Sequence, residues 1–182
     1  MRVFVALELS SVIKDKLAGI QDEVKILCPV GNYSGRDNFH VTLKFIGEID
    51  PDRLDGIRAC MDKVSSCTDS FEVVLEGLGF FRKGSRFVVW AGLSKDQMLV
   101  RLYSGIESCL VKAGYVRADR SFSPHVTLGR NVLVENSSCL SGVFYDRIGL
   151  RVDSVCLMES KRIDGILRYV PIYRSVFGGM RD

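Results

Sequence analysis

The chain contains two histidines, His40 and His125, and each opens the tetrapeptide His-Val-Thr-Leu. Imidazole has the side-chain pKa nearest neutrality, so it both takes and gives a proton there. Two imidazoles on opposite sides of one substrate do both jobs in a single step, one neutral and one protonated. Side chains alternate faces along a strand. His40 and Thr42 therefore share one face while Val41 and Leu43 take the other, and His125 and Thr127 repeat this against Val126 and Leu128. A threonine hydroxyl beside each imidazole can bind a phosphate oxygen or orient a neighbouring group. Together the two segments form a symmetrical clamp for a tetrahedral phosphorus.

A lone histidine on a half-buried strand is more often structural than catalytic. Two in identical contexts, with no others in 182 residues, are read as an acid–base pair. Zinc is the alternative, but a catalytic zinc site takes a third protein ligand. Neither motif contains Asp, Glu or Cys, so no metal or cofactor is expected. Nucleophilic Cys–His chemistry singles out none of Cys28, Cys60, Cys67, Cys109, Cys139 and Cys156. Lys44, two past Thr42, is expected on the face of His40. Arg130 has the opposite parity to His125 in a regular strand, but a bulge or strand end at Gly129 would redirect it. A cation there would balance charge on a pentacoordinate phosphorus.

These side chains need strands, and the hydropathy pattern supplies them. Residues 2–9 read as a buried strand, residues 11–27 as a helix capped by Ser10, and residues 39–46 as the first histidine strand. A helix over 52–64 follows Pro51. Strands over 71–80 and 86–93 form a hairpin about Arg82-Lys83-Gly84-Ser85. Ser94 or Asp96 caps a helix running to residue 113, residues 125–130 form the second histidine strand, and residues 150–159 and 169–176 form two more. Residues 138–149 stay unassigned, and residues 178–182 read as a loose tail. The class is α+β with mixed sheets.

The chain also resembles itself. MRVFVALELS, a helix and NFHVTLKF match SRFVVWAGLS, a helix and SPHVTLGR; Ser10 and Ser94 are 84 residues apart, and the histidines 85. A duplicated strand–helix–strand unit, about 1–48 and 86–130, is expected within a single domain. A pseudo-twofold axis would set the two HVTL segments on opposite walls of one cleft.

Composition bounds the partners. A net charge of +3 is too small to mark a duplex-binding protein, yet it permits a locally basic cleft for a phosphate. The cysteines lack CxxC spacing and mostly sit in apolar stretches, as reduced thiols of a cytoplasmic protein would. The opening apolar run is short and carries Glu8, unlike a signal peptide, and no segment is long enough for a membrane span. Nothing demands a partner chain, so a monomer is expected. The hairpin segment Phe80-Phe81-Arg82-Lys83-Gly84-Ser85-Arg86 mixes aromatics with cations, which suits either a flexible nucleic-acid strand or an ordinary exposed turn. Arg117, Asp119 and Arg120 read as a solvated loop before the second histidine strand.

These motifs resemble the two-histidine (2H) phosphoesterase superfamily, and within it the RNA 2',3'-cyclic phosphodiesterases, also called 2'-5' RNA ligases. His40-Val-Thr-Leu-Lys-Phe-Ile-Gly-Glu48 is similar to the family's HxTLxFxGE, Arg86-Phe-Val-Val-Trp90-Ala-Gly92 to RVxWxG, and Ser123-Pro-His125-Val-Thr127-Leu-Gly-Arg130 to PHxTLxR. Glu159-Ser160, Gly165 and Tyr169 match a late ES…G…Y pattern. The hairpin lacks the family's prolines, and Lys161-Arg162 stands where a leucine often follows ES; both departures lie outside the histidine motifs. The resemblance implies two pseudo-symmetric lobes with largely antiparallel sheets around a V-shaped cleft. It implies metal-independent opening of RNA 2',3'-cyclic phosphate ends, tRNA fragments among them, to 2'-phosphates, with reverse 2'-5' ligation at the same site. It assigns catalysis to His40 and His125, and phosphate binding to Thr42, Thr127, Arg130 and Lys44. Rival readings are a 2H phosphodiesterase acting on 2',5'-oligoadenylate or cyclic ADP-ribose phosphate, and an RNA-end-binding module without turnover.

Overall fold

The structure, a computed structural model, describes residues 1–119, 121–134, 140, 143 and 145–178. Arg120, Ser138, Cys139, Ser141, Gly142 and Phe144 of the loop and unassigned segments, and residues 179–182 of the expected tail, lie outside the described residues. Gly178 is tied down, its N–H donating to the Ser65 carbonyl at 3.0 Å.

Strand β1 (Arg2–Glu8) leads into helix α1 (Ser11–Leu27). Ser10 caps that helix, its Oγ accepting from the Ile13 N–H. Ile13, Leu17, Ile20 and Val24 form its buried stripe. A short strand β2 (Asn32–Tyr33) and a 3-10 turn (Arg36–Asn38) occupy the expected loop before β3 (His40–Glu48). Pro51 opens a 3-10 turn rather than the helix itself, so α2 starts at Leu54 and ends at Ser65. Strands β4 (Phe71–Lys83) and β5 (Arg86–Leu93) form the expected hairpin. Its turn is only Gly84-Ser85, with Gly84 at φ 63°, a conformation that favours glycine. Of the two cap candidates for α3 (Gln97–Lys112), Asp96 accepts the Leu99 N–H, while Ser94 Oγ accepts the Val74 N–H.

Strand β6 (His125–Val132) carries the second histidine motif. The single strand expected over 150–159 is two strands, β7 (Ile148–Val152) and β8 (Ser154–Ile163), broken at Asp153. Burial explains the break: it alternates along β7, which covers one core, and is continuous over residues 154–158, which pack on both sides. Strand β9 (Ile166–Val176) closes the fold.

Among the described residues the strands form one sheet in the order β7-β4-β5-β6-β3-β1-β8-β9, with β2 on β6, and every pairing is antiparallel. The chain is thus α+β with a largely antiparallel sheet. Side chains of α1, α2 and α3 share one apolar core with the buried residues Val3, Val5, Leu7, Val41, Leu43, Ala91, Val126 and Leu128. The alternate residues Phe4, Ala6, Cys156 and Met158 form a small separate cluster with Tyr169 on the opposite face. That face, free of helices, carries the site.

Candidate active site

Strands β3 and β6 meet at one ladder pair, Val41 with Val126. Each valine is fully buried, so the flanking residues of both strands turn to the helix-free face. Extending that antiparallel pair by one residue sets His40 across from Thr127 and Thr42 across from His125. Directly opposed side chains have Cβ atoms about 4.5–5.5 Å apart. The two histidines and two threonines therefore occupy the corners of one small patch, with a histidine at each end of a diagonal.

Each imidazole is held by its own chain. His40 Nδ1 lies 2.7 Å from the Asn38 carbonyl, and His125 Nδ1 lies 2.7 Å from the Ser123 carbonyl. A carbonyl only accepts, so Nδ1 carries hydrogen in both rings and Nε2 is the atom that exchanges a proton. Thr42 Oγ1 sits 3.0 Å from His40 Nε2. Aromatic walls flank both rings. His40 packs against Phe4 and edge-on to Tyr169, with centroids 4.8 and 5.0 Å away; His125 packs against Phe81 and Trp90 at 5.1 and 5.8 Å. Asn38 fixes the first wall as well, its Oδ1 accepting from the Tyr169 N–H at 3.0 Å.

Gly79 makes room for the second wall: a Cβ there would lie 2.1 Å from the Trp90 ring. Gly79→Ala is expected to push the indole off its seat beside His125 and to cost about 1–3 kcal/mol in a denaturant melt, as for other overpacked sites. Trp90 is the chain's one tryptophan, so its emission reports the displacement directly. Unchanged emission and an unchanged melt would show that the ring is not held there.

A bulge decides where the cations go. Between Val5 and Ala6 of β1 the register on β3 jumps from Lys44 to Thr42, and between Val89 and Trp90 of β5 the register on β6 jumps from Gly129 to Thr127. Each jump inserts one extra residue just past the threonine and reverses the alternation. Arg130 is thereby brought to the histidine face, and its carbonyl neighbour at the bulge, Leu128 O, is satisfied by the buried Gln21 side chain at 2.7 Å and by the Ser34 N–H at 2.9 Å. The same shift corrects the expected placement of Lys44. Its side chain is turned away from His40 and buried under α3, where Nζ lies 2.8 Å from Glu107 Oε2 and donates to the Val116 carbonyl at 2.6 Å.

Burial governs both imidazoles. It lowers the pKa of His40 to about 4, against the opposing pull of the Asn38 carbonyl, with Arg130, His125 and Lys14 adding repulsion. It lowers that of His125 as well, opposed by the Ser123 carbonyl and reinforced by Arg130. At neutral pH the free site holds two neutral imidazoles under the influence of one guanidinium. Among the described residues no three His, Cys, Asp or Glu side chains gather at metal-ligand distance. No described helix is long and apolar enough to cross a membrane.

The sequence profile described as "2'-5' RNA ligase superfamily" matches residues 30–164, which takes in both histidine motifs. This chain belongs to the 2'-5' RNA ligase superfamily. Among its relatives, an RNA 2',3'-cyclic phosphodiesterase of Archaeoglobus fulgidus is 34% identical over 131 residues, covering 71% of this chain and 72% of that protein. One of Methanothermobacter thermautotrophicus is 29% identical over 160 residues, covering 87% and 86%. The fold is similar to that of Escherichia coli LigT crystallised with 3'-AMP, with a TM-score of 0.80, 24% identity and 97% of each chain covered.

Within this superfamily member the sequence identified the four corner residues and Arg130. It did not point to Asn38, Phe4 or Gln21 as supports, and it singled out Phe81 only within the aromatic and basic hairpin segment, not as a wall of His125. Asn38 carries no motif, and its role depends on Tyr169, which lies 131 residues away. Of the thiols, Cys28, Cys60 and Cys156 are buried as expected, whereas Cys67 is exposed. Cys60 and Cys109 bring their Sγ atoms to 2.8 Å between α2 and α3.

Proposed function

We propose that this protein hydrolyses 2',3'-cyclic phosphate ends of RNA to 2'-phosphates, with His40 and His125 as the acid–base pair. The observation that carries this reading is the crossing at Val41 and Val126, which presents two Nε2 atoms and two threonine hydroxyls to one patch. The named activity of the relatives supports the substrate class.

The reaction is an in-line displacement. Water attacks phosphorus, a new P–O bond forms and the P–O3' bond breaks. Neutral His125 takes the proton of the attacking water, and protonated His40 gives its proton to the departing 3' oxygen. Thr42 and Thr127 bind non-bridging oxygens, and Arg130 offsets charge on the phosphorus. Lys44, engaged with Glu107, has no part. Both transfers are made by imidazole, so the chemistry requires no metal. With an RNA 5'-hydroxyl as the nucleophile in place of water, the same displacement forms a P–O5' bond, breaks P–O3' and makes a 2'-5' linkage. The two halves, about 1–48 and 86–130, act as copies of one unit, each supplying a histidine, a threonine and the same bulge.

The lowered pKa values fix the pH behaviour. With both imidazoles protonated there is no base; with both neutral there is no acid. The bell of kcat/KM, which reports the free protein, is expected to lie below pH 6.5, its acid limb where the first imidazole of the pair becomes neutral and its alkaline limb where the second does, since both are lowered from the ordinary histidine value. A bound anionic phosphate favours the protonated form of a nearby histidine, so the bell of kcat is expected at higher pH. The deciding experiment incubates EDTA-treated protein with a short RNA bearing a 2',3'-cyclic phosphate and locates the product phosphate. A 2'-phosphate, with this pH separation, is expected. A 3'-phosphate, or turnover only with added metal, overturns the mechanism, and preference for 2',5'-oligoadenylate or cyclic ADP-ribose phosphate in the same assay overturns the substrate.

A further inference from the structure

We infer that the β4–β5 ribbon is a binding track for the single-stranded RNA leading into the site, an inference that rests on the substrate class proposed above. The register pairs Gly79 with Trp90, Phe81 with Val88 and Lys83 with Arg86, and opposed residues share a face. Trp90 and Phe81 are the aromatic wall of His125, so Lys83 and Arg86 lie on the histidine face too, farther along the ribbon. From Gly92, which pairs with His125, to Arg86 the ribbon runs about 20 Å at roughly 3.3 Å per residue. The order outward from the site is imidazole, two aromatic rings, then two cations. Sequence-tolerant binding of a nucleic-acid strand uses that combination, bases stacking on rings and phosphates meeting cations.

Three observations favour RNA over an ordinary solvated turn. Phe81 remains 39% exposed although it touches both Trp90 and His125. Neither Lys83 nor Arg86 makes an ion pair among the described residues. The sheet's other long hairpin, β8–β9, is different. Its tip carries aliphatic Ile163, Ile166 and Leu167, Lys161 is paired with Glu159 at 2.9 Å, and Arg168 faces Asp37 at 3.8 Å. The β4–β5 tip thus presents unpaired cations beside an aromatic wall, whereas among the described residues only Arg162 of the β8–β9 cations lacks an ion pair, and it donates to the Gly165 carbonyl at 2.6 Å. That asymmetry gives the strand a single direction of approach, over the His125 side.

The test is binding, read by fluorescence anisotropy of a 5'-labelled single-stranded RNA ten nucleotides long ending in a 2'-phosphate. K83A/R86A is expected to weaken the RNA about tenfold and to flatten the log–log salt dependence by about 1.4, from two lost phosphate contacts. K83R/R86K is expected to restore both. The affinity for the matching nucleoside 2'-phosphate should stay within twofold, because the track begins beyond the terminal nucleotide. RNA that binds wild-type protein no more tightly than the mononucleotide, or equally tightly after K83A/R86A, overturns the inference. Binding is scored without turnover, so a protein that binds as expected but opens no cyclic phosphate would remove the proposed activity and leave the track.

Discussion

His125→Ala is expected to lower kcat on an RNA 2',3'-cyclic phosphate by about a thousandfold, within the 10²–10⁴ range of a positioned acid or base, and to leave KM nearly unchanged. His40→Ala should do the same. In the proposed mechanism the imidazoles act on one displacement, so the double variant should fall little below either single one, as for other residues that work as a unit. The ring positions make this a test of chemistry rather than folding. Both histidines are only half-buried, and each holds its orientation through a carbonyl two residues back in its own chain. Neither ring supports the helix-side core. Single-turnover rates with melts of both variants would check it. A variant that keeps more than a tenth of the wild-type rate would remove that histidine from the mechanism.

The second large effect is on stability. Lys44 and Glu107 are 4% and 6% exposed, and their ion pair is closed by two backbone groups of the segment after α3. Lys44 donates to the Val116 carbonyl, and Glu107 Oε1 accepts the Ala118 N–H at 2.6 Å. Removing one member strands a buried charge. Lys44→Met is expected to lower the unfolding free energy by about 3–5 kcal/mol, seen as a drop in the urea midpoint at constant m. K44M/E107L should regain most of that, because a matched apolar pair costs no desolvation of charge. Recovery should stop about 1–3 kcal/mol short, since the Ala118 N–H loses its acceptor. A single variant within about 1 kcal/mol of wild type, against the 3–5 expected, would show that the pair is not closed in solution. The pair also ties β3 to the segment that leads into β6, so the single variant should lose activity with stability and the double should recover both.

Much of this protein was determined locally. The alternation His-Val-Thr-Leu settles which side chains face the core and which face the helix-free side of the sheet, because one buried valine commits its neighbours to the other side. Its recurrence after 85 residues, in matching flanks, settles that two such strands must meet. The helices followed from their apolar spacing and caps, and the hairpin from its glycine turn. Resemblance to the superfamily, carried by the same motifs, gave the reaction class.

Tertiary structure decided what depends on register. In a regular strand Lys44 belongs with His40, and Arg130 does not belong with His125. A bulge just past each threonine exchanges those assignments, sending Lys44 to Glu107 and Arg130 to the histidines. A bulge is one extra residue on one strand against its partner, so it is a property of two strands and has no signature in either alone. Gly129 hinted at it in one half; Lys44 gave no hint in the other. The break at Asp153 was hidden for a similar reason. No glycine or proline stands between β7 and β8 to mark the break, and their different neighbours, β4 for one and β1 for the other, go with the change from alternating to continuous burial. The depth of the imidazoles, which lowers both pKa values, likewise comes from aromatic walls built by strands remote in sequence.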